Sequence, residues 1–427
     1  MKKLSIIGGE KLNGKIKISG SKNTSLPILF STILFDTEVT LNNIPEVSDI
    51  NVTIKLLENL GVKVQKINNN SYVFNAKNMN SYLAPYEIVK QMRASFYTLG
   101  ALLGRFGKAK VSLPGGCAIG IRPVDMHLTA FEKMGAKIEN ENGYIDASVE
   151  NKLNGTKIEF KKVSVGATIN VILGAVLANG KTIIKNAAKE PDVVCFVDFL
   201  NQAGAKIDGA GTDTIEINGV EKLNSIEYTV VGDRIEAGTY MIASIITDGD
   251  LILEGLNFER DVKSLIDALK YIGADITNIS ESSIRIKRAN NKLKPVNIIT
   301  SPFPGFPTDL QPQIMALLAT IDGESIIDET IFENRFMHVA ELNRMGANIE
   351  ICQNNKAKIN GKQNCYFGAN VMASDLRAGA ALMLAGLSAK GTTIIDRYYH
   401  MERGYENIVE KLSNCGAKIE IINNNEL

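Results

Sequence analysis

Phe131-Glu132-Lys133-Met134-Gly135-Ala136-Lys137-Ile138 carries the pattern on which the fold turns: a helical end, a glycine, a small residue, a polar residue and a branched apolar one. The same order returns at Leu56-Leu57-Glu58-Asn59-Leu60-Gly61-Val62-Lys63-Val64, Gly204-Ala205-Lys206-Ile207, Gly273-Ala274-Asp275-Ile276, Gly346-Ala347-Asn348-Ile349 and Gly416-Ala417-Lys418-Ile419. From Gly61 through Gly135, Gly204, Gly273 and Gly346 to Gly416 the intervals are 74, 69, 69, 73 and 70 residues, which marks six copies of one α/β unit. A glycine at each junction suits a left-handed residue that stops a helix and admits a strand.

Outward from the glycine, the preceding helix shows an i, i+3, i+4, i+7 stripe, clearest at Val262, Leu265, Ile266, Leu269 and Ile272. The segments that follow alternate, as in Ile215-Glu216-Ile217 and Ile284-Arg285-Ile286, and read as strands with one buried face. A second helix, nearly all apolar and small, recurs at Leu26 to Leu34, Ala94 to Leu103, Ala167 to Leu177, Ala237 to Ile246, Gln313 to Leu318 and Ala378 to Leu387. Apolar on every side, it belongs in a core. A Gly-led strand follows it at Gly180, Gly249, Gly323 and Gly391, with weaker versions near Glu38 and Gly107. Each copy therefore reads helix, strand, helix, strand, strand.

The sequence predicts a two-domain α/β protein, an inside-out barrel of βαβαββ-like units with three copies per domain and buried helices. The first domain is placed at 22–230, and the second at 231–427 with residues 1–21 completing it. Such a chain crosses between domains twice, near Gly20-Ser21 and Val231-Gly232, a natural hinge beside an interdomain cleft.

Bulk properties bound the function. At 427 residues the chain suits two domains rather than one core. Lys+Arg and Asp+Glu balance at 47 each, so no global field draws in nucleic acid or an anionic membrane. The apolar run at the start ends at Gly8-Gly9-Glu10-Lys11, too early for a signal peptide, and no apolar stretch reaches the ~20 residues of a membrane span. The cysteines, Cys117, Cys195, Cys352, Cys365 and Cys415, form no C-x-x-C pair, which points to free thiols in a reducing cytoplasm. No P-loop, dinucleotide fingerprint or H-E-x-x-H motif is present, and His127, His338 and His400 lack metal-ligand spacing. Neither a metal nor a cofactor is expected.

In a repeat, departures are informative. The strongest is Leu113-Pro114-Gly115-Gly116-Cys117-Ala118-Ile119-Gly120-Ile121-Arg122-Pro123-Val124-Asp125, a glycine-flanked loop bearing one thiol, then a cation and a carboxylate. A thiol near cations is activated as a thiolate. By contrast Cys195 and Cys415 read as apolar residues on helix faces, and Cys352 and Cys365 as inert thiols in a strand and its turn. Charged and hydroxyl residues gather where the apolar helices begin: Lys22-Asn23-Thr24, Arg93-Ala94-Ser95, Lys162 to Gly166, Asp233-Arg234, Thr308-Asp309 and Asp375-Leu376-Arg377. Ser164, Asp233 and Thr308 suit N-caps. Lys22, Arg93 and Arg377 oppose the helix dipole and are candidate ligands of an anion held there, which suggests a multiply charged substrate.

These residues together resemble the enolpyruvyl transferase family, in its UDP-N-acetylglucosamine 1-carboxyvinyltransferase branch. The resemblance is carried by Ser19 to Asn23, Met92 to Ser95, Leu113 to Cys117 with Arg122 to Asp125, and Lys162 to Thr168. It continues through Phe306 to Asp309, Phe332 to His338, Asp375 to Ala378, Asp396-Arg397 and Glu402 to Tyr405, and so covers the whole chain. It implies transfer of the enolpyruvyl group of phosphoenolpyruvate to the 3-hydroxyl of UDP-N-acetylglucosamine with release of phosphate, the first committed step of peptidoglycan precursor synthesis. The implied partners are these two small molecules, with no nucleic acid and no membrane; the oligomeric state is left open.

The resemblance also implies roles. Cys117 is the acid-side residue and the site alkylated by fosfomycin-like epoxides, whether it delivers a proton or governs product release. Asp309 stands where the family keeps a carboxylate near the sugar hydroxyl, as general base. Lys22, Asn23, Arg122 and Arg403 are expected to hold phosphoenolpyruvate, with Lys22 and Arg403 also catalytic. The sugar nucleotide falls to Asn23, Arg93, Arg122, Pro123, Val124, Asp125, Met126, Lys162, Val163, Ser164, Val165, Asp309 and Ile331, and closure to Asp375, Arg377 and Arg335. Departures are minor: Pro312 replaces a small residue, and Thr24-Ser25 a small pair. Enolpyruvyl transfer to shikimate 3-phosphate is the nearest alternative, opposed by the Cys117 loop and the Lys162 to Val165 motif. A ring-shaped clamp on nucleic acid would need a basic inner surface, whereas the convergent helices are apolar.

Overall fold

The structure is a computed structural model that describes residues 2–114, 124–289 and 292–423. All six repeat glycines adopt positive φ, between 97° and 125°, where a side chain would be strained. Each ends one helix and opens one strand, as the local pattern requires. The apolar helices are α1 (Lys22–Ser31), α2 (Thr98–Phe106), α3 (Val165–Ala175), α4 (Arg234–Ile246), α5 (Gln311–Leu318) and α6 (Leu376–Ser388). Every residue from Ile235 to Ile246 in α4 and from Leu376 to Leu387 in α6 is buried. Residues 94–97, expected in the apolar helix, belong instead to a 3₁₀ turn, Arg93–Tyr97, in front of α2.

Six four-stranded sheets accompany these helices, one per copy, giving a mixed α/β fold. The leading strand of a βαβαββ-like unit, absent from the order helix, strand, helix, strand, strand, is present in each copy and pairs parallel to the strand after the apolar helix. Leu83–Ala84 pairs this way with Lys108–Ser112, and Ile298–Ile299 with Gly323–Asp328. Two residues are too few to show alternation, so sequence periodicity missed them.

Contacts divide the chain into two compact units. One runs up to Ser19 and resumes at Gly232; the other takes the described residues from Gly20 to Val231. In the first unit, helices α4, α5 and α6 pack against one another. Its sixth copy is completed by the N-terminus: β1 (Lys3–Ile7) lies between Thr392–Asp396 and Lys418–Ile422, antiparallel to both. The leading strand of its fourth copy is β2 (Asn13–Lys17), parallel to Asp250–Glu254. In the second unit Ile226–Thr229 plays that part, parallel to Glu38–Asn42 of the first copy.

Each unit has its own apolar core. Close helix packing is visible at Gly100 of α2, where an added Cβ would lie 2.2 Å from the Asn170 carbonyl oxygen of α3. Among the described residues no helix is long and apolar enough to cross a membrane.

Candidate active-site residues

In the unit that resumes at Gly232, the starts of the three apolar helices share one polar network. Asp233 caps α4 by accepting from the amides of Ile235 and Glu236, and Asp375 caps α6 by accepting from Arg377 and Ala378. Thr308 is not a cap; its hydroxyl donates to Glu329 at 3.0 Å, because residues Thr308–Leu310 turn as 3₁₀ helix before α5. That turn presents Asp309. Its Oδ1 accepts from Arg335 Nη2 at 2.9 Å and its Oδ2 from Arg377 Nη2 at 3.1 Å. Both arginine side chains are buried, at 3% and 5% exposure, whereas that of Asp309 is 32% exposed. The carboxylate is thus the more accessible end of a buried cationic pair, oriented by one charge-assisted bond to each of its oxygens.

Burial works against the charge of Arg377, yet Asp309, then Tyr405 and Asp233, hold its guanidinium above the ordinary range. Its Nη1 donates to the Tyr405 hydroxyl at 3.3 Å, which shares a 2.9 Å bond with Thr239 of α4. Gln313 Nε2 reaches the same hydroxyl at 3.3 Å and the Asp309 carbonyl at 2.9 Å. In the sequence Tyr405 figures only as the end of the Glu402 to Tyr405 motif and Gln313 only as the start of an apolar helix, and neither they nor Thr239 are assigned to the site there, since residue type alone does not separate them from core positions. Arg403 ends the 3₁₀ helix Tyr398–Arg403, two residues before Tyr405, and is half-buried. Burial first, then Arg403, lowers the pKa of His400. Ile331 is half-buried, with its amide donating to Glu329 Oε1 at 2.9 Å.

In the unit from Gly20 to Val231, Ser21 caps α1 by accepting from the Thr24 amide. The Ser21 and Thr24 hydroxyls both donate to Asp192 Oδ1, at 3.2 and 2.9 Å. Thr24 therefore has a structural partner here in place of the small residue. Lys22 opens the helix with its ammonium buried, 3.4 Å from Asp49 Oδ2. Lys22 and Arg377 oppose the dipole at their helix starts, and Asp49 and Asp309 offset part of that cost. A partner acid cannot be located by inspecting sequence neighbours. Asn23 beside Lys22 is half-buried.

Arg93 begins its 3₁₀ turn, which packs against α1 and α3. Val124, half-buried, precedes the helix Asp125–Lys133, so that Asp125 and Met126 lie in its first turn. His127 follows, buried edge-on against Phe96, with Nδ1 accepting from Asn170 Nδ2 at 2.9 Å. Burial, and then the charge of Arg93, push its imidazole down to about 4, with Asp125 opposing. It is neutral at physiological pH. Ser164 caps α3 by accepting from the Ala167 amide; Lys162 is exposed, and Val163 and Val165 rest partly on the core. Cys117, Arg122 and Pro123 lie outside the described residues.

Cys195, Cys415 and Cys365 are wholly or partly buried. Cys195 is buried in the helix Pro191–Gln202. Cys415 is not on a helix face as expected; it lies buried in the turn after Ile408–Ser413, because Asn414 caps that helix. Burial pushes the Cys365 thiol up to about 11, and its Sγ–H donates to the Ala319 carbonyl.

A family model described as EPSP synthase (3-phosphoshikimate 1-carboxyvinyltransferase) matches residues 6–412. The UDP-N-acetylglucosamine 1-carboxyvinyltransferase of Haemophilus ducreyi is 49% identical over 98% of this chain and 98% of its own length. The protein named UDP-N-acetylglucosamine 1-carboxyvinyltransferase 2 of Carboxydothermus hydrogenoformans is 50% identical over 98% of this chain and 99% of its own. Among solved structures, the enolpyruvyl transferase NikO from Streptomyces tendae has the same fold, with a TM-score of 0.88 at 24% identity over 98% of each chain.

Proposed function

The chain belongs to the EPSP synthase family of enolpyruvyl (1-carboxyvinyl) transferases, and from that premise we propose that it transfers the enolpyruvyl group of phosphoenolpyruvate to the 3-hydroxyl of UDP-N-acetylglucosamine. The observation that carries this reading is near-half identity, over almost the full length, to relatives bearing that activity in their names. Transfer to shikimate 3-phosphate has behind it the description of the family as a whole, with no relative of comparable identity among those named above.

The reaction is an addition followed by an elimination. The sugar oxygen bonds to C2 of phosphoenolpyruvate as the hydroxyl proton leaves and a proton is added to the C3 methylene. Loss of phosphate, with a proton from C3, then restores the double bond as an enol ether. Asp309 takes the hydroxyl proton, a role supported by its partly exposed carboxylate and the two guanidinium N–H bonds that aim it. Lys22, Asn23, Arg122 and Arg403 hold the phosphate and carboxylate of phosphoenolpyruvate and balance charge in the tetrahedral intermediate. Cys117 acts on the acid side. Asn23, Arg93, Arg122 to Met126, Lys162 to Val165 and Ile331 receive the sugar nucleotide, and Asp375, Arg377 and Arg335 order the site as it closes. The finer architecture, three sheets of each unit wrapped round their helices as an inside-out barrel, and a cytoplasmic location belong to the same reading.

Phosphate release from phosphoenolpyruvate, measured with either acceptor, tests it. Release with UDP-N-acetylglucosamine and not with shikimate 3-phosphate is expected; the reverse preference would sink the proposal.

A further inference from the structure

Glu329 stands one residue beyond the strand Gly323–Asp328, is 1% exposed, and has no part in the chemistry above. A buried carboxylate costs free energy unless its oxygens are occupied. Here they are occupied by donors from two separate segments. Oε2 accepts from the Thr308 hydroxyl at 3.0 Å; Oε1 accepts from the amides of Ile331 at 2.9 Å and Phe332 at 3.2 Å. Thr308 immediately precedes Asp309, and its carbonyl accepts from Arg335 Nη2 at 3.2 Å. The bend that starts at Ile331 leads to that same Arg335.

The segment has an independent anchor. Thr330 donates its amide to the Thr300 hydroxyl at 3.0 Å and its own hydroxyl to the Thr300 carbonyl at 2.6 Å. The loop root is therefore held without Glu329. What the carboxylate adds is a fixed distance between the Asp309 turn and the Ile331 bend.

We propose that Glu329 is a positioning residue for the sugar-nucleotide acceptor, setting the proton-accepting Asp309 against the acceptor-lining Ile331 by binding Thr308 and the Ile331–Phe332 amides at once. This rests on the function proposed above. The tie acts on the acceptor hydroxyl, not on phosphoenolpyruvate, because neither Lys22 nor Arg403 is among the donors to this carboxylate.

The test compares full-length wild type with Glu329→Ala, Glu329→Gln, Thr308→Val and Thr308→Ser, with melting temperatures taken alongside. Misplacement of reacting groups by a fraction of an ångström costs rate steeply, so Glu329→Ala is expected to raise KM for UDP-N-acetylglucosamine about tenfold and lower kcat by a similar factor. KM for phosphoenolpyruvate stays within about twofold. Thr308→Val moves the same parameters in the same direction by less, Thr308→Ser recovers most of that loss, and Thr308→Val added to Glu329→Ala costs nothing more. Amide hydrogen exchange at Ile331 and Phe332 quickens in Glu329→Ala and Glu329→Gln, while exchange within Gly323–Asp328 is unaffected. Equal KM changes for both substrates, tracking the fall in melting temperature, would overturn the positioning role. Unchanged exchange at Ile331 and Phe332 overturns it whatever the acceptor. A wild-type chain that releases no phosphate with UDP-N-acetylglucosamine overturns the function instead.

Discussion

Asp309 shows how a single side chain becomes competent. A lone carboxylate on a surface turn samples several rotamers; this one has each oxygen tied to a different buried guanidinium. Asp309→Asn keeps the shape and loses the proton acceptor, so kcat should fall by about 10²- to 10³-fold in steady-state phosphate release, and the melting temperature should fall too because two buried guanidinium groups lose their anion. The imidazole of His127 is a second case. Burial and Arg93 push it down to about 4, and burial does the same to His338. A depressed histidine is neutral when folded, so its stabilising contribution is complete above an unfolded value near 6.5 and is lost as pH falls toward 4. His127→Gln should therefore lose about 2 kcal/mol less than wild type between pH 7 and pH 5, measured by denaturant unfolding at both. The candidate residues at helix starts were legible because Lys, Arg and Asp there conflict with or serve the dipole in ways residue type alone reveals. Their partners, Asp49 for Lys22 and Arg335 for Asp309, were not, because a charge pair is chosen by proximity in space.

Among the elements, the helix–glycine–strand junction was fully readable, since φ near +100° is a demand on one residue and glycine meets it. The two-residue leading strands Leu83–Ala84 and Ile298–Ile299 could not be located because their pairing, not their composition, makes them strands. The apolar helices were legible as buried but not in their closest approach. Gly100→Ala would drive a methyl against the Asn170 carbonyl and disturb the side chain that holds His127. It should cost about 2–4 kcal/mol by chemical denaturation and expose His127 to protonation at higher pH.

For the whole molecule, the order of the chain is not the order of its copies. The N-terminal strand β1 is an interior strand of the last sheet, between segments some 390 and 415 residues away along the chain by the paired positions Leu4↔Ile395 and Leu4↔Ile421. Ser5→Pro removes a ladder donor in that interior strand, and a loss of about 3 kcal/mol or more, seen as a lowered melting temperature, is expected. The six-fold repeat, the buried character of one helix per copy and the family to which the chemistry belongs were all legible in the order of residues alone. These rest on local demands: a glycine with positive φ, an all-apolar helical surface, a motif read in order. Folding in three dimensions set the rest: Asp309 meets Arg335 and Arg377, 26 and 68 residues further on, Thr308 serves Glu329 rather than a cap, and β1 and β2 complete the sixth and fourth copies. Burying a charge or a strand edge costs free energy that only a partner can offset, and which partner is present depends on where the copies bring their ends together.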